Sequence, residues 1–200
     1  ALQKRIRFSP QFPADWDQVE VENFRTGSAV VDFTYKRKSG NIHIHIEASD
    51  AESYTILVSP ALGPLAQIEQ VTVNGQIRKF DVITGPQTVQ PQIEIPVEKE
   101  LDIEIRFVPD FEIIPPVPDT PIGFPDQGLK IISLEKQNGH LILEVEGLAG
   151  KEYYLKTSGN EQISEIRGGK FVPGGLKFHI PAGPPFSFQR HRITLSSKSI

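Results

Sequence analysis

Apolar and polar residues alternate with a period of two along much of the chain. Ile42, Ile44 and Ile46 are interleaved with His43, His45 and Glu47. Leu101, Ile103, Ile105 and Phe107 are interleaved with Glu100, Asp102, Glu104 and Arg106. Successive side chains on a strand point to opposite faces, so this pattern predicts strands with one buried and one wet face. Further strands are predicted over 19–21, 29–35, 54–58, 71–73 and 93–95, where β-branched and aromatic residues concentrate. Val73 runs into Asn74-Gly75, a dipeptide suited to a type I′ hairpin because both turn residues need positive φ. No ten-residue stretch combines a clean 3.6-residue period with helix caps, so helices are not predicted.

The pattern breaks once. Pro109, Pro115, Pro116, Pro118, Pro121 and Pro125 crowd one short stretch. Proline has no donor for a strand ladder, so residues 109–125 are expected to form a stiff, extended connector. The charge divides there too. Residues 1–108 carry 11 basic and 15 acidic side chains, whereas residues 109–200 carry 10 of each.

Beyond the break the first pattern returns. Gly40-Asn41-Ile42-x-Ile44-x-Ile46-Glu47 precedes Tyr54-x-Ile56, and Gly139-His140-Leu141-x-Leu143-x-Val145-Glu146 precedes Tyr153-x-Leu155. The glycine, glutamate and tyrosine share one offset of 99 residues. Gln67-Ile68-x-x-Val71 is matched by Gln162-Ile163-x-x-Ile166, and Ile93-x-Ile95-Pro96 by Phe178-x-Ile180-Pro181. An internal repeat of short strands predicts two related β-sandwich modules, Ig-like or jelly-roll-like. They are placed at 1–108 and 126–200, with the connector between them.

Composition narrows the chemistry. Of 200 residues, 38% are hydrophobic and 23% charged, the balance of an ordinary folded domain and not of a disordered one. With no cysteine, disulfides, thiolate zinc sites, iron–sulfur clusters and cysteine nucleophiles are all excluded. The net charge of −4 is a poor match for nucleic acid, which selects a basic footprint. No apolar run approaches the ~18 residues of a membrane helix. The absence of any methionine implies a chain processed or cut from a longer one, and its start carries no signal-peptide pattern.

Few residues offer reactive chemistry. His43, His45 and Glu47 share one face of one strand, and His-x-His beside a carboxylate is a weak metal-ligand candidate. The second module has Ile142, Glu144 and Glu146 there, so the simpler expectation is a polar outer face. Glu98, Glu100, Asp102 and Glu104 lie along one strand end. A glycosidase needs two carboxyls facing each other across a bond, so these are expected to form a solvated face or a blunted sheet edge. A nucleophile elbow is missing, and the Gly168–Gly175 stretch lacks the order of a phosphate loop. The only tryptophan lies in Phe8-Ser9-Pro10-Gln11-Phe12-Pro13-Ala14-Asp15-Trp16. An aromatic face beside a carboxylate can hold a sugar ring, whose C–H bonds stack while its hydroxyls donate. Alternatively Trp16 plugs an end of the sandwich or packs against another domain.

That segment, Phe8-x-Pro10-x-Phe12-Pro13-x-x-Trp16 followed by Val19-x-Val21, resembles a known junction. It is similar to the entry into the C-terminal β-sandwich that follows the (α/α)6-barrel catalytic domain. The enzymes concerned are bacterial glycoside hydrolases related to glycogen debranching enzymes and α-glucosidases. Phe12 stands where their pattern has leucine. Residues 143–155 are similar to the small β tail that ends some of those chains. The resemblance implies a non-catalytic accessory region, not an enzyme, with no cofactor and no catalytic residue of its own. Its implied partner is an upstream catalytic domain of the same chain, braced through Phe8, Phe12, Asp15 and Trp16. Because such proteins act on external glycans, it implies a periplasmic or secreted location. Two alternatives stay open: a carbohydrate-binding module using Trp16, and an Ig-like cell-surface adhesion or assembly protein.

Overall fold

The structure, a computed structural model, describes residues 4–13, 15–51, 53–116 and 128–198. Strands dominate it, and it divides into two compact units, Ala1–Pro109 and Asp110–Ile200.

The first unit contains β1 (Arg5–Phe8), β2 (Gln18–Thr26), β3 (Ala29–Lys38), β4 (Asn41–Ser49) and β5 (Thr55–Val58). It continues with β6 (Gln67–Val73), β7 (Gln76–Ile77), β8 (Asp81–Thr84), β9 (Val89–Pro96) and β10 (Glu100–Val108). One sheet has the order β1-β5-β9-β8, the other β2-β3-β4-β10-β6-β7. The alternation read from the sequence decides which faces meet. Ile42, Ile44, Ile46, Ile103 and Ile105 are fully buried, and they share one core with Ile56, Val58 and Ile93 of the other sheet. Each such side chain contributes roughly 1.5–3 kcal/mol by leaving water. Asn74 and Gly75 have φ of 48° and 74°, as the hairpin from β6 to β7 requires.

The carboxylates of β10 form a solvated outer face. The edge alternative fails, because β10 lies inside its sheet, paired with β4 on one side and β6 on the other.

The second unit contains β11 (Glu112–Ile114), β12 (Lys130–Gln137), β13 (His140–Leu148) and β14 (Glu152–Ser158). After a short 3-10 turn at Asn160–Gln162 come β15 (Ile163–Arg167), β16 (Lys170–Val172), β17 (Gly175–His179) and β18 (Phe188–Ser197). Its sheets have the orders β11-β14-β17-β16 and β12-β13-β18-β15. Leu141, Leu143, Leu155, Leu176, Ile193 and Leu195 are buried in it.

The start of the expected connector is corrected by this unit. Residues 112–114 are not linker but a strand paired with β14, and Asp110 and Phe111 before them are buried. The physical reason is Phe111. A fully buried aromatic ring holds the chain in the fold before Pro115 and Pro116 can stiffen it. Residues 117–125 of the predicted connector lie outside the described residues.

Four strands in each sheet follow the same order in the two units. β1, β5, β9 and β8 correspond to β11, β14, β17 and β16, while β3, β4, β10 and β6 correspond to β12, β13, β18 and β15. Register agrees across the second sheet. Ile105 lies between Ile42 and Val71, and Leu195 lies between Leu141 and Ile166. Those pairs carry the same 99- and 95-residue offsets as the sequence repeat. β2 and β7 have no counterpart among the described strands of the second unit. The first strands also differ in direction: β1 is parallel to β5, whereas β11 is antiparallel to β14.

Candidate functional site

The segment between β1 and β2 leaves an edge of one sheet and enters an edge of the other, so it closes one side of the first sandwich. Backbone bonds pin its ends and middle. The Phe8 carbonyl accepts from Ser59 at 2.9 Å, that of Pro10 from Ala61 at 3.0 Å, and that of Asp17 from Arg37 at 2.8 Å. Phe8 stacks on Phe33, with centroids 4.3 Å apart and planes 9° from parallel. Phe12 meets Tyr35 edge-on at 5.0 Å. Both rings pack against the core.

Trp16 differs. Its indole is stacked on Phe12 at 6.1 Å and 18°, yet it remains 51% exposed. The Trp16 backbone N–H donates to the Pro13 carbonyl at 3.0 Å. Asp15 beside it is exposed as well. The four residues singled out in the sequence therefore split. Phe8 and Phe12 are anchors, and Asp15 and Trp16 form the accessible surface. Trp16 does not plug the core: it is half exposed and stacks on the partly buried Phe12.

A second polar cluster lies on the outer face of β4 and β10. Asp102 is directly opposite His45 and Glu104 opposite His43. One oxygen of Asp102 is 3.0 Å from His45 Nδ1 and 3.2 Å from His43 Nε2. His45 Nε2 is 3.3 Å from Glu47 Oε1. Both ring nitrogens of His45 thus face carboxylate oxygens, which only accept. That arrangement is satisfied when both nitrogens carry hydrogen, as an imidazolium. Sequence reasoning singled out His43, His45 and Glu47 as one group and Asp102 in another, and did not join them, because Asp102 is 57 residues from His45 and strand pairing is not written in local spacing. Among the described residues, no group of three or more histidine, aspartate or glutamate side chains is arranged to hold a metal ion.

The cluster has a pH consequence. The hydrogen bond to Asp102 raises the His45 pKa above its ordinary 6.5; burial opposes this, and Glu47 adds to the rise. A folded-state value above the unfolded one stabilises below the unfolded pKa and is lost as pH rises through the folded one. The first unit is therefore expected to lose a little stability from pH 6.5 upward. The effect is small, because surface ion pairs are screened. NMR titration of the His45 ring checks it. Asp102→Asn is expected to bring the midpoint down toward the ordinary value, and an unchanged midpoint would remove Asp102 as the cause.

A cleft of about 340 Å³ lies between the turns joining β4 to β5 and β9 to β10, lined by Ser49, Asp50, Val97, Glu98 and Lys99 among others. Trp16 and the histidine cluster are not part of its lining.

The chain matches no family model, no curated protein and no solved structure. The glycoside-hydrolase resemblance thus rests on the 8–16 motif and the second-half pattern alone. Among the described residues, no helix is long and apolar enough to cross a membrane.

Proposed function

We propose that this chain is a non-catalytic accessory region of a carbohydrate-active enzyme, acting outside the cytoplasm, with the 8–16 segment as its contact surface. The observation that supports this is the half-exposed Trp16 on a fixed base. Phe8 and Phe12 hold the segment against the core, so presenting the indole requires little further ordering. Covering the exposed half of a tryptophan against a neighbouring catalytic domain stabilises by about 2–3 kcal/mol.

Exposure of Trp16 and Asp15 together favours one other reading, a carbohydrate-binding module. Affinity gel electrophoresis against soluble α- and β-glucans separates the two. The accessory reading expects no retardation by any glucan, for the wild type and for Trp16→Ala alike. Retardation by one glucan, lost in Trp16→Ala while thermal melting stays the same, would replace bracing with sugar binding.

A further inference from the structure

Among the described residues, the second unit has no counterpart of β2. In the first unit, β3 is covered on its outer edge by β2, with Tyr35 opposite Val19 and Arg37 donating to the Asp17 carbonyl. The equivalent strand, β12, is paired with β13 and with no other described strand. Its hairpin closes at Gln137 opposite His140, across Asn138-Gly139. In a two-residue hairpin, alternate residues counted back from the closing pair bond across the ladder. Gln137, Glu135 and Ser133 therefore bond to β13, and the backbone groups of Leu134 and Lys136 face outward. These are the positions of Tyr35 and Arg37 displaced by 99 residues. Ile132, bulged between Ile131 and Ser133, is 42% exposed on the same strand.

We propose that this edge pairs with β12 of a second copy of the chain, antiparallel and two-fold about Leu134. The strand's own sequence argues for a copy of itself. In that register Leu134 meets Leu134, Ser133 meets Glu135, and Ile132 meets Lys136. No like charges stand opposite each other. The lysine stem lies along the exposed isoleucine, with its ammonium group in water. Lysines and a bulge on an edge discourage indiscriminate strand addition, so a partner must fit them, and the two-fold arrangement does. The contact is isologous and closes on itself, producing a dimer and not a fibre.

Sedimentation velocity of the 200-residue chain across the micromolar range tests this. The expected result is a reversible monomer–dimer equilibrium. Ile132→Lys places lysine opposite Lys136 twice per dimer and is expected to weaken association about tenfold. Its site is exposed, so the fold should survive, which thermal melting checks. Adding Lys136→Glu to Ile132→Lys restores an opposite-charge pair and should restore the dimer. Leu134→Pro removes the central outward donor while sparing the ladder to β13, and is expected to give a folded monomer. A chain that stays monomeric throughout overturns the proposal. So does a dimer indifferent to Ile132→Lys, or one that the double variant fails to restore.

Discussion

Phe111→Ala is expected to destabilise the second unit by about 3–5 kcal/mol, the range for emptying a buried aromatic site, and to leave the first unit untouched. Phe111 is fully buried and its ring lies 6.1 Å from that of Phe171. It directly precedes β11, which pairs with β14. Truncation would leave a cavity and loosen the edge strand together. A unit of about 90 residues has roughly 5–14 kcal/mol of stability, so the loss takes about a fifth of it or more. The single tryptophan separates the units in one experiment. Trp16 lies in the first unit and reports only there, whereas far-UV circular dichroism reports both. In urea, the fluorescence midpoint should stay fixed while the dichroism transition of the second unit moves to lower denaturant. A variant with both midpoints unchanged would return Phe111 to a connector.

That residue also marks where the sequence stopped being informative. Two-residue alternation is a local property, and it predicted β4 and β10 with the correct faces because each strand carries its own pattern. Positive φ at Asn74 and Gly75 was equally local. The internal repeat carried further, since the register of Val71 against Ile105 and of Ile166 against Leu195 follows the offsets found in the sequence. Phe111 was hidden by its neighbours. Proline density is a strong signal for extended chain, and three strand residues between Pro109 and Pro115 are too few to show a period. β8 went unpredicted because it is exposed along its whole length and carries no alternation.

The candidate site divides along the same line. Phe12 and Trp16 are four residues apart, and their stacking is a local event. The Phe12 ring also meets Tyr35, which arrives from β3 and is buried, and that contact is written in no local spacing. The histidine cluster depends on β10 lying beside β4. No spacing in the sequence says that Asp102 will stand opposite His45, so its imidazolium geometry became legible only with the sheet order.

Gly159→Ala is expected to cost the second unit about 2–5 kcal/mol, and Gly150→Ala only about 1–2. The comparison isolates a single contact. Both glycines have left-handed backbone, with φ of 69° and 71°, so both pay the same conformational cost for a Cβ. Around Gly150 there is nothing within 4 Å for the new methyl to meet. At Gly159 the methyl would stand 2.1 Å from the Asp110 carbonyl oxygen and 3.0 Å from the Phe111 nitrogen. Those are backbone atoms, held by the buried Phe111 and by β11, and they cannot swing aside as a side chain would. Asparagine, which tolerates left-handed φ, should rescue position 150 and fail at 159. Urea unfolding followed by circular dichroism measures both. If the two alanine variants cost the same, residue 110 does not approach residue 159, and the second sandwich begins later in the chain than Asp110.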